Sequence, residues 1–168
     1  MLLDYLELGE DEEIINLARL QAYLDNVGSP FTTGAALCSC DTLTAAMLGQ
    51  NTPYNTPATD PAPWYDPAVP ESALFLGLLP LSVTGLDDDT GVRSVVNAVG
   101  GGGSLGPRRK LPRVITITAL VVAASCCAAE YGLFWLSQTL QGCCGGSGCD
   151  GDTLRMYNCC PDATMTRQ

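Results

Sequence analysis

The sequence predicts an α+β chain that is mainly β, with one packed helix and a long proline-rich arm. Alternating β-branched and apolar residues across 113–122 predict a strand, with Ile115, Ile117 and Val121 on its core side. Leucines at helical spacing across 127–140 predict an amphipathic helix. Six of the 11 prolines lie between residues 53 and 70. Because proline fixes its own φ and cannot donate to a β-ladder, this region predicts an extended arm.

The composition excludes several classes of function. The chain has 168 residues and no histidine, which excludes Ser-His-Asp and Cys-His nucleophile systems, HExxH sites and Cys2His2 zinc fingers. We therefore predict a non-enzymatic protein without a cofactor. A net charge of -10 disfavours recognition of nucleic acid through a basic field. Charged residues make up only 15%, against roughly 25% in soluble domains, so we expect partners to cover part of the surface.

Residues 1–27 form the first predicted segment, an acidic hairpin or helix. Alternation across 1–8, a turn at 9–12 and a partner at 13–17 predict a hairpin. Apolar residues at Ile14, Leu17 and Leu24 equally allow a helix over 10–24. The first residues lack a basic and then apolar stretch, so they do not resemble a secretory signal peptide, and we expect synthesis in a reducing cytoplasm.

The arm, residues 28–70, precedes a strand-rich core at 71–141. Within the arm, Trp64 and Tyr65 are predicted to anchor the chain against an apolar surface, and both are also interface candidates. Strands are predicted over 71–85 and 93–99, with a flexible glycine tip at 100–104.

The predicted helix places Leu133, Leu136 and Leu140 on its core face, together with Ala129. Residues 114–140 also carry a single charge, Glu130, which is a pattern that imitates a membrane span. The β-branched start, the small polar middle and the amphipathic second half favour a strand followed by a helix instead, without a membrane span.

A basic cluster at residues 108–113 holds half of the positive charges of the chain. Arg108, Arg109 and Lys110 are candidates for an interface with an acidic partner, including the acidic N-terminal segment of another copy. The alternative is a patch that keeps the adjacent strand soluble.

The nine cysteines form three groups and their number is odd. Their spacing leaves open disulfides, free buried thiols and a metal site for zinc or iron–sulfur, for which Cys144, Cys149, Cys159 and Cys160 are the candidate ligands. The acidic turn at 87–89 lacks the calcium-loop pattern of an EF-hand and predicts a solvated turn. The segment that holds most of these cysteines, residues 142–168, is Gly- and Cys-rich and shows little periodicity.

The order of several motifs resembles the N-terminal region of the minor tail proteins of siphoviruses that infect actinobacteria. The similarity covers about residues 50–161, and its most specific part is the loop motif Ala-Pro-Trp-Tyr-Asp at residues 62–66. The strand and helix over 113–140 are similar to those of distal tail proteins. The resemblance implies a β-sandwich-like domain with one packed helix. Because members of this group are often longer, we expect residues 142–168 to lead into a further region.

The resemblance also implies a function. Distal tail proteins form a hexameric ring at the tail tip of the virion, between the tail tube protein, the tape measure protein, the hub and other minor tail proteins. We therefore expect a structural baseplate component. Two alternatives remain at this point: a module that binds host-surface glycan through Trp64, Tyr65 or Tyr54, and a small domain organised by a Cys-bound metal.

Overall fold

The computed structural model describes residues 3–9, 12–31, 54–86, 91–98, 102–141 and 153–157. These residues form two α-helices, one 3₁₀ helix at Pro70–Leu74 and nine strands, and every strand pair is antiparallel. This mixture agrees with the predicted α+β, mainly β class. The elements in chain order are β1 (Tyr5–Leu8), β2 (Glu12–Asn16), α1 (Leu17–Asn26), β3 (Phe75–Thr84), β4 (Gly91–Val92), β5 (Val95–Ala98), β6 (Gly102–Leu105), β7 (Arg109–Lys110), β8 (Thr116–Ala123), α2 (Cys126–Thr139) and β9 (Leu154–Tyr157).

The N-terminal segment contains both of the alternatives that the sequence left open. β1 pairs with β2, and α1 follows directly, so the chain has two α-helices where one was predicted. Asn16 ends the strand and caps the helix, because its side-chain oxygen accepts a hydrogen bond from the Arg19 backbone N–H at 3.1 Å. β9 pairs with the other edge of β1 and completes a three-stranded sheet. This last strand was not predicted, because residues 142–168 show little periodicity.

A single long β-hairpin, here called the ribbon, runs from β3 to β8. Thr84 opposes Thr116, Val92 opposes Arg109, and Val95 opposes Leu105. The three ladders therefore nest in the order of a hairpin, from β3 and β8 at the base outward to β5 and β6, with register shifts within the first ladder and between ladders. The base, β3 with β8, packs on α1, α2 and β2. The distal ribbon, residues 91–116, forms only two-stranded sheets within the described part of the chain.

Two predicted boundaries within the ribbon were wrong. The strand predicted over 71–85 begins only at Phe75, because Pro70 opens the 3₁₀ helix that precedes it. Pro80 lies inside β3, next to the register shift between Pro80 and Ser82, where the ladder is irregular. The predicted flexible tip at 100–104 includes Gly102 and Ser104, which belong instead to β6.

The core lies between the three-stranded sheet, α1 and the ribbon base, and an aromatic cluster of Trp64, Phe75 and Trp135 fills its α2 side. The Trp64 ring centroid lies 5.0 Å from that of Phe75 and 5.6 Å from that of Trp135, in edge-to-face geometry. Trp64 Nε1–H donates to the Phe75 carbonyl at 2.9 Å, and Tyr131 Oη donates to the Trp64 carbonyl at 2.7 Å. The cluster thus holds residues 54–65 against both the ribbon and α2.

The predicted core face of α2 was wrong at two of its leucines. Leu133 is 53% exposed and Leu140 is 59% exposed, whereas Leu136 is half-buried. The helix packs instead through Ala128 and Gly132, both buried. These small residues let the backbone approach the ring of Phe75 closely, which turns the neighbouring leucines away from the core. The predicted strand positions Ile115, Ile117 and Val121 are half-buried, and Ile115 lies just outside β8.

Gly132 sets the distance between α2 and the ribbon base. A Cβ placed there would lie 2.5 Å from Phe75 Cε2, and Phe75 is fully buried. We expect Gly132→Ala to destabilise the fold by a net of about 1–2 kcal/mol, because overpacking at so close a contact costs about 2–3 kcal/mol and alanine recovers about 1 kcal/mol of helix propensity. Urea unfolding would measure this change, and Ser137→Ala, on the exposed side of the same helix, is the control. Equal stability of the two variants would contradict the close contact.

Residues 114–140, which imitated a membrane span in sequence, divide into β8 and α2. Among the residues that the structure describes, no helix is both long enough and apolar enough to cross a membrane.

Candidate functional site

The distal ribbon concentrates positive charge. Residues 91–116 contain five basic residues and no acidic one, while the rest of the chain has three basic and 18 acidic residues. Arg108, Arg109 and Lys110, the predicted interface residues, are all exposed on this part of the ribbon. Charge is therefore distributed unevenly along the chain, with positive charge on the hairpin and net negative charge on the rest.

Contacts between the two sides of the distal ribbon hold them together. Gly85 has φ +88°, and a Cβ there would lie 2.1 Å from the Val114 carbonyl oxygen, so only glycine fits. Arg113 Nη1 donates across the ribbon to the Leu86 carbonyl at 2.6 Å. Further out, the Gly106 N–H donates to the Ser94 carbonyl at 2.8 Å. These contacts bind the two arms to each other where the ladder is interrupted.

The distal ribbon exposes apolar side chains beside its cations. The large apolar side chains that it exposes are Val92, Val95, Leu105, Leu111 and Val114. A two-stranded ribbon is marginally stable in water at best, and stable sheets bury one face against another element. Exposed apolar residues on such a ribbon are typical of a surface that is covered in an assembly.

A second apolar surface lies on α2. Exposed residues at helical spacing on α2, continued by Leu140 at its C-cap, form the α2 outer face: Glu130, Leu133, Phe134, Ser137 and Leu140. Phe134 is 64% exposed. The last turn of α2 has no basic residue. Because carbonyl groups at a helix C-terminus carry negative partial charge, this end of the face favours cations.

Trp64 is not an accessible interface residue, which corrects its assignment as an interface candidate. The side chain is only 4% exposed, and its one polar group donates to the Phe75 carbonyl. Tyr65 is half-buried. Tyr54 is also buried, so two of the three rings proposed to stack on glycan are not available to a sugar. Trp64 and Tyr65 lie in the arm where the sequence predicted an anchor: Trp64 is buried in the core and Tyr65 packs against it.

A buried polar network joins the N-terminal segment to residues 54–60. Arg19 Nε lies 2.6 Å from Glu13 Oε1, and both side chains are almost fully buried. The Arg19 guanidinium also donates to Tyr23 Oη at 3.2 Å and stacks on the Tyr54 ring, 4.6 Å from its centroid. Asn16 Nδ2 donates to Tyr54 Oη at 3.1 Å. The ion pair compensates the two buried charges, and the hydrogen bond from Asn16 together with the guanidinium stack fixes Tyr54 over α1.

Burial shifts the ionisation of this network. It raises the pKa of the Glu13 carboxyl, although Arg19 beside it acts in the opposite direction. Burial also raises the pKa of both Tyr23 and Tyr54 to about 12. For both phenols the stabilising contribution is fully present below pH 10, their ordinary pKa, and is lost as the pH rises through about 12.

The tyrosine shifts predict late ionisation in the folded protein. Of the six tyrosines, at least Tyr23 and Tyr54 should remain protonated well above pH 10. A spectrophotometric titration of tyrosinate checks this, and Tyr54→Phe should remove one late-titrating group. Ionisation of all tyrosines in one step near pH 10, with the fold intact, would show that these phenols are not buried.

The acidic N-terminal segment is partly neutralised inside the molecule. Glu7 is buried and pairs with Arg155 of β9, Nη1 to Oε1 at 2.9 Å, while Glu13 pairs with Arg19. Tyr5 Oη donates to the other Glu7 oxygen at 2.9 Å. These two carboxylates are therefore committed within the chain, and a partner for the ribbon must use other acidic groups.

The cysteines offer no metal centre within the described residues. Cys126 and Cys127 are free and exposed, at the start of α2. No group of three or more His, Cys, Asp or Glu side chains in the described part of the chain could hold a metal ion. The four proposed ligands Cys144, Cys149, Cys159 and Cys160 lie outside the described residues, as does the acidic turn at 87–89.

The sequence indicated the basic cluster but not the ribbon that presents it. The signal was present, because the 26 residues of 91–116 lack any acidic residue in a chain with 18 of them. The α2 outer face was missed because the leucine spacing was assigned to the core. No protein-family model, no curated protein and no solved structure matches the chain. The function is therefore inferred from the geometry of these surfaces.

Proposed function

We propose that this protein is a non-enzymatic structural subunit that assembles with other copies of itself through the distal ribbon. The observation that carries the proposal is the ribbon itself: a two-stranded, cationic hairpin that exposes apolar side chains beyond the core of an otherwise acidic chain. Such a hairpin gains stability when a neighbouring surface covers it. The low charged fraction supports the same view.

The assembly that we propose is a ring at the tail tip of a phage virion. The support is the sequence resemblance to minor and distal tail proteins, to which the ribbon adds a means of reaching a neighbour. In this proposal the ring is a hexamer and contacts the tail tube protein, the tape measure protein, the hub and other minor tail proteins.

We also propose a β-sandwich-like arrangement for the body. The three-stranded sheet of β2, β1 and β9 would form one layer and the ribbon base, β3 and β8, the other. Contacts of β2 and α1 with β3 support this layering, because they bring the two sheets onto one core.

The experiment is to determine the oligomeric state of the full chain at low and high salt by analytical ultracentrifugation, with electron microscopy of the product. We expect closed rings at low salt that dissociate as salt screens the ribbon. A chain that stays monomeric at micromolar concentration under both conditions would contradict the proposal.

Glycan binding remains the second candidate only through Tyr65, the half-buried ring of the three proposed. A glycan array with the purified chain distinguishes the two functions. Specific saccharide binding that is lost in Tyr65→Ala would favour the glycan-binding module over a purely structural subunit.

A further inference from the structure

We infer that the distal ribbon of one copy packs on the α2 outer face of a second copy. The inference rests on the proposed function and goes further, because it names the two surfaces that meet. The occupant of the α2 outer face is thus a segment of the same chain, presented by a neighbour.

Charge excludes the simplest alternative, in which two ribbons pair with each other. Each distal ribbon carries five positive charges and no negative one, so two ribbons side by side would repel. The rest of the chain carries 18 acidic residues against three basic ones. The ribbon must therefore meet the body of another copy, and the interface joins two different surfaces.

Apolar exposure selects the place on the body. Among the described residues, 14 large apolar side chains are exposed, of which five lie on the distal ribbon, two on α2 and one, Leu140, at the C-cap of α2. No other element of the body exposes as many. Pairing these two surfaces would bury most of the large apolar side chains that they expose to water.

The α2 outer face also complements the ribbon in charge. Glu130 is exposed one helical turn before Leu133 and Phe134, so a carboxylate borders the apolar stripe. At the other end of the stripe, the last turn of α2 has no basic residue and its carbonyls favour cations. Arg109, exposed on β7 on the same side of the ribbon as its cross-strand neighbour Val92, can meet such a group while Val92 or Leu111 covers Phe134.

The dimensions of the two surfaces are compatible. One arm of the distal ribbon, residues 91–98, extends over roughly 26 Å if fully extended, and α2, with 14 residues, is about 21 Å long. A ribbon can therefore lie along the whole helix. An interface of this kind closes into a ring if the rotation between copies allows it, and otherwise forms a filament.

A charge-swap series tests the contact. Arg109→Glu and Glu130→Arg should each weaken self-association of the full chain on the order of tenfold, and the double variant should restore it. Asp25→Arg, which reverses an exposed carboxylate on α1, is the matched control and should change little. Circular dichroism of each variant verifies that the body is folded. If the double variant is no stronger than either single one, the inference is wrong.

Photo-crosslinking distinguishes failure of the inference from failure of the proposed function. A benzoylphenylalanine at position 95, on the ribbon, should crosslink to a peptide from residues 126–141 of another copy. Oligomers that form with crosslinks only to other peptides would overturn the inference and leave the proposed function intact. Absence of oligomers would overturn both. Binding of the monomer to DNA or to anionic vesicles through Arg109, with no self-association, would also overturn both.

Discussion

Replacing Trp64 by alanine is expected to destabilise the fold by about 3–5 kcal/mol, which is the range for removing a buried Trp or Phe ring. Trp64 contacts Phe75 and Trp135 edge-to-face, and its Nε1–H is the hydrogen-bond partner of the Phe75 carbonyl. Its own carbonyl accepts from Tyr131 on α2. The ring therefore links the arm, the ribbon base and α2, and no single neighbour can fill the space that its loss would leave.

Urea unfolding followed by circular dichroism measures this effect. Trp64→Phe should recover part of the stability, because it restores an aromatic ring but not the hydrogen bond to Phe75. Tyr65→Ala, at the adjacent half-buried position, is the control and should cost much less. A loss of less than about 1 kcal/mol in Trp64→Ala would mean that the arm does not depend on this anchor.

Arg19→Met is expected to destabilise the fold by about 3–5 kcal/mol at neutral pH, because it leaves the Glu13 carboxylate buried without its partner. The loss should shrink as the pH falls. Burial raises the pKa of Glu13, so the folded state takes up a proton at a pH where the unfolded state does not. The contribution of the Glu13 carboxyl to the free energy of unfolding is then fully present below its ordinary pKa. It is lost as the pH rises through the elevated pKa of the folded state.

The matched control removes both charges. Glu13→Leu with Arg19→Met should be more stable than Arg19→Met alone at neutral pH and should not share its pH dependence, since no buried carboxylate remains. Thermal unfolding between pH 4 and 8 provides both comparisons. A single variant whose stability rose with pH over this interval would contradict the assigned shift at Glu13.

The sequence pattern predicted those strands and helices whose periodicity lies within a single segment of the chain. The alternation of β8 and the long period of α2 are both visible in the sequence, and the structure has both elements at nearly the predicted bounds. The core face of α2 could not be predicted from leucine spacing, because Gly132 allows a closer approach than any leucine could. Backbone proximity, and not apolar periodicity, decided which side of the helix is buried.

Pairing between strands that are far apart in the sequence could not be predicted from local pattern. β9 has only four residues in a region without clear periodicity, and it is a strand because β1 lies beside it. The ribbon register likewise depends on three ladders that are separated along the chain by residues 85–90 and 111–115, and by residues 93–94 and 106–108. At the candidate site, charge composition singled out Arg108, Arg109 and Lys110, which are exposed on the ribbon, whereas the exposed face of α2 depends on how that helix packs.

The pairing of β1 with β9 has a consequence for the order of events during synthesis. Tyr5 lies opposite Tyr157, and Glu7 has its ionic partner in Arg155, 148 positions later in the chain. A nascent chain therefore leaves the ribosome with one edge of β1 open and a carboxylate still in water, while α1 and the ribbon can already form. Closing this contact late is a slow, non-local step, and until it occurs the open strand edge is exposed to association with other nascent chains.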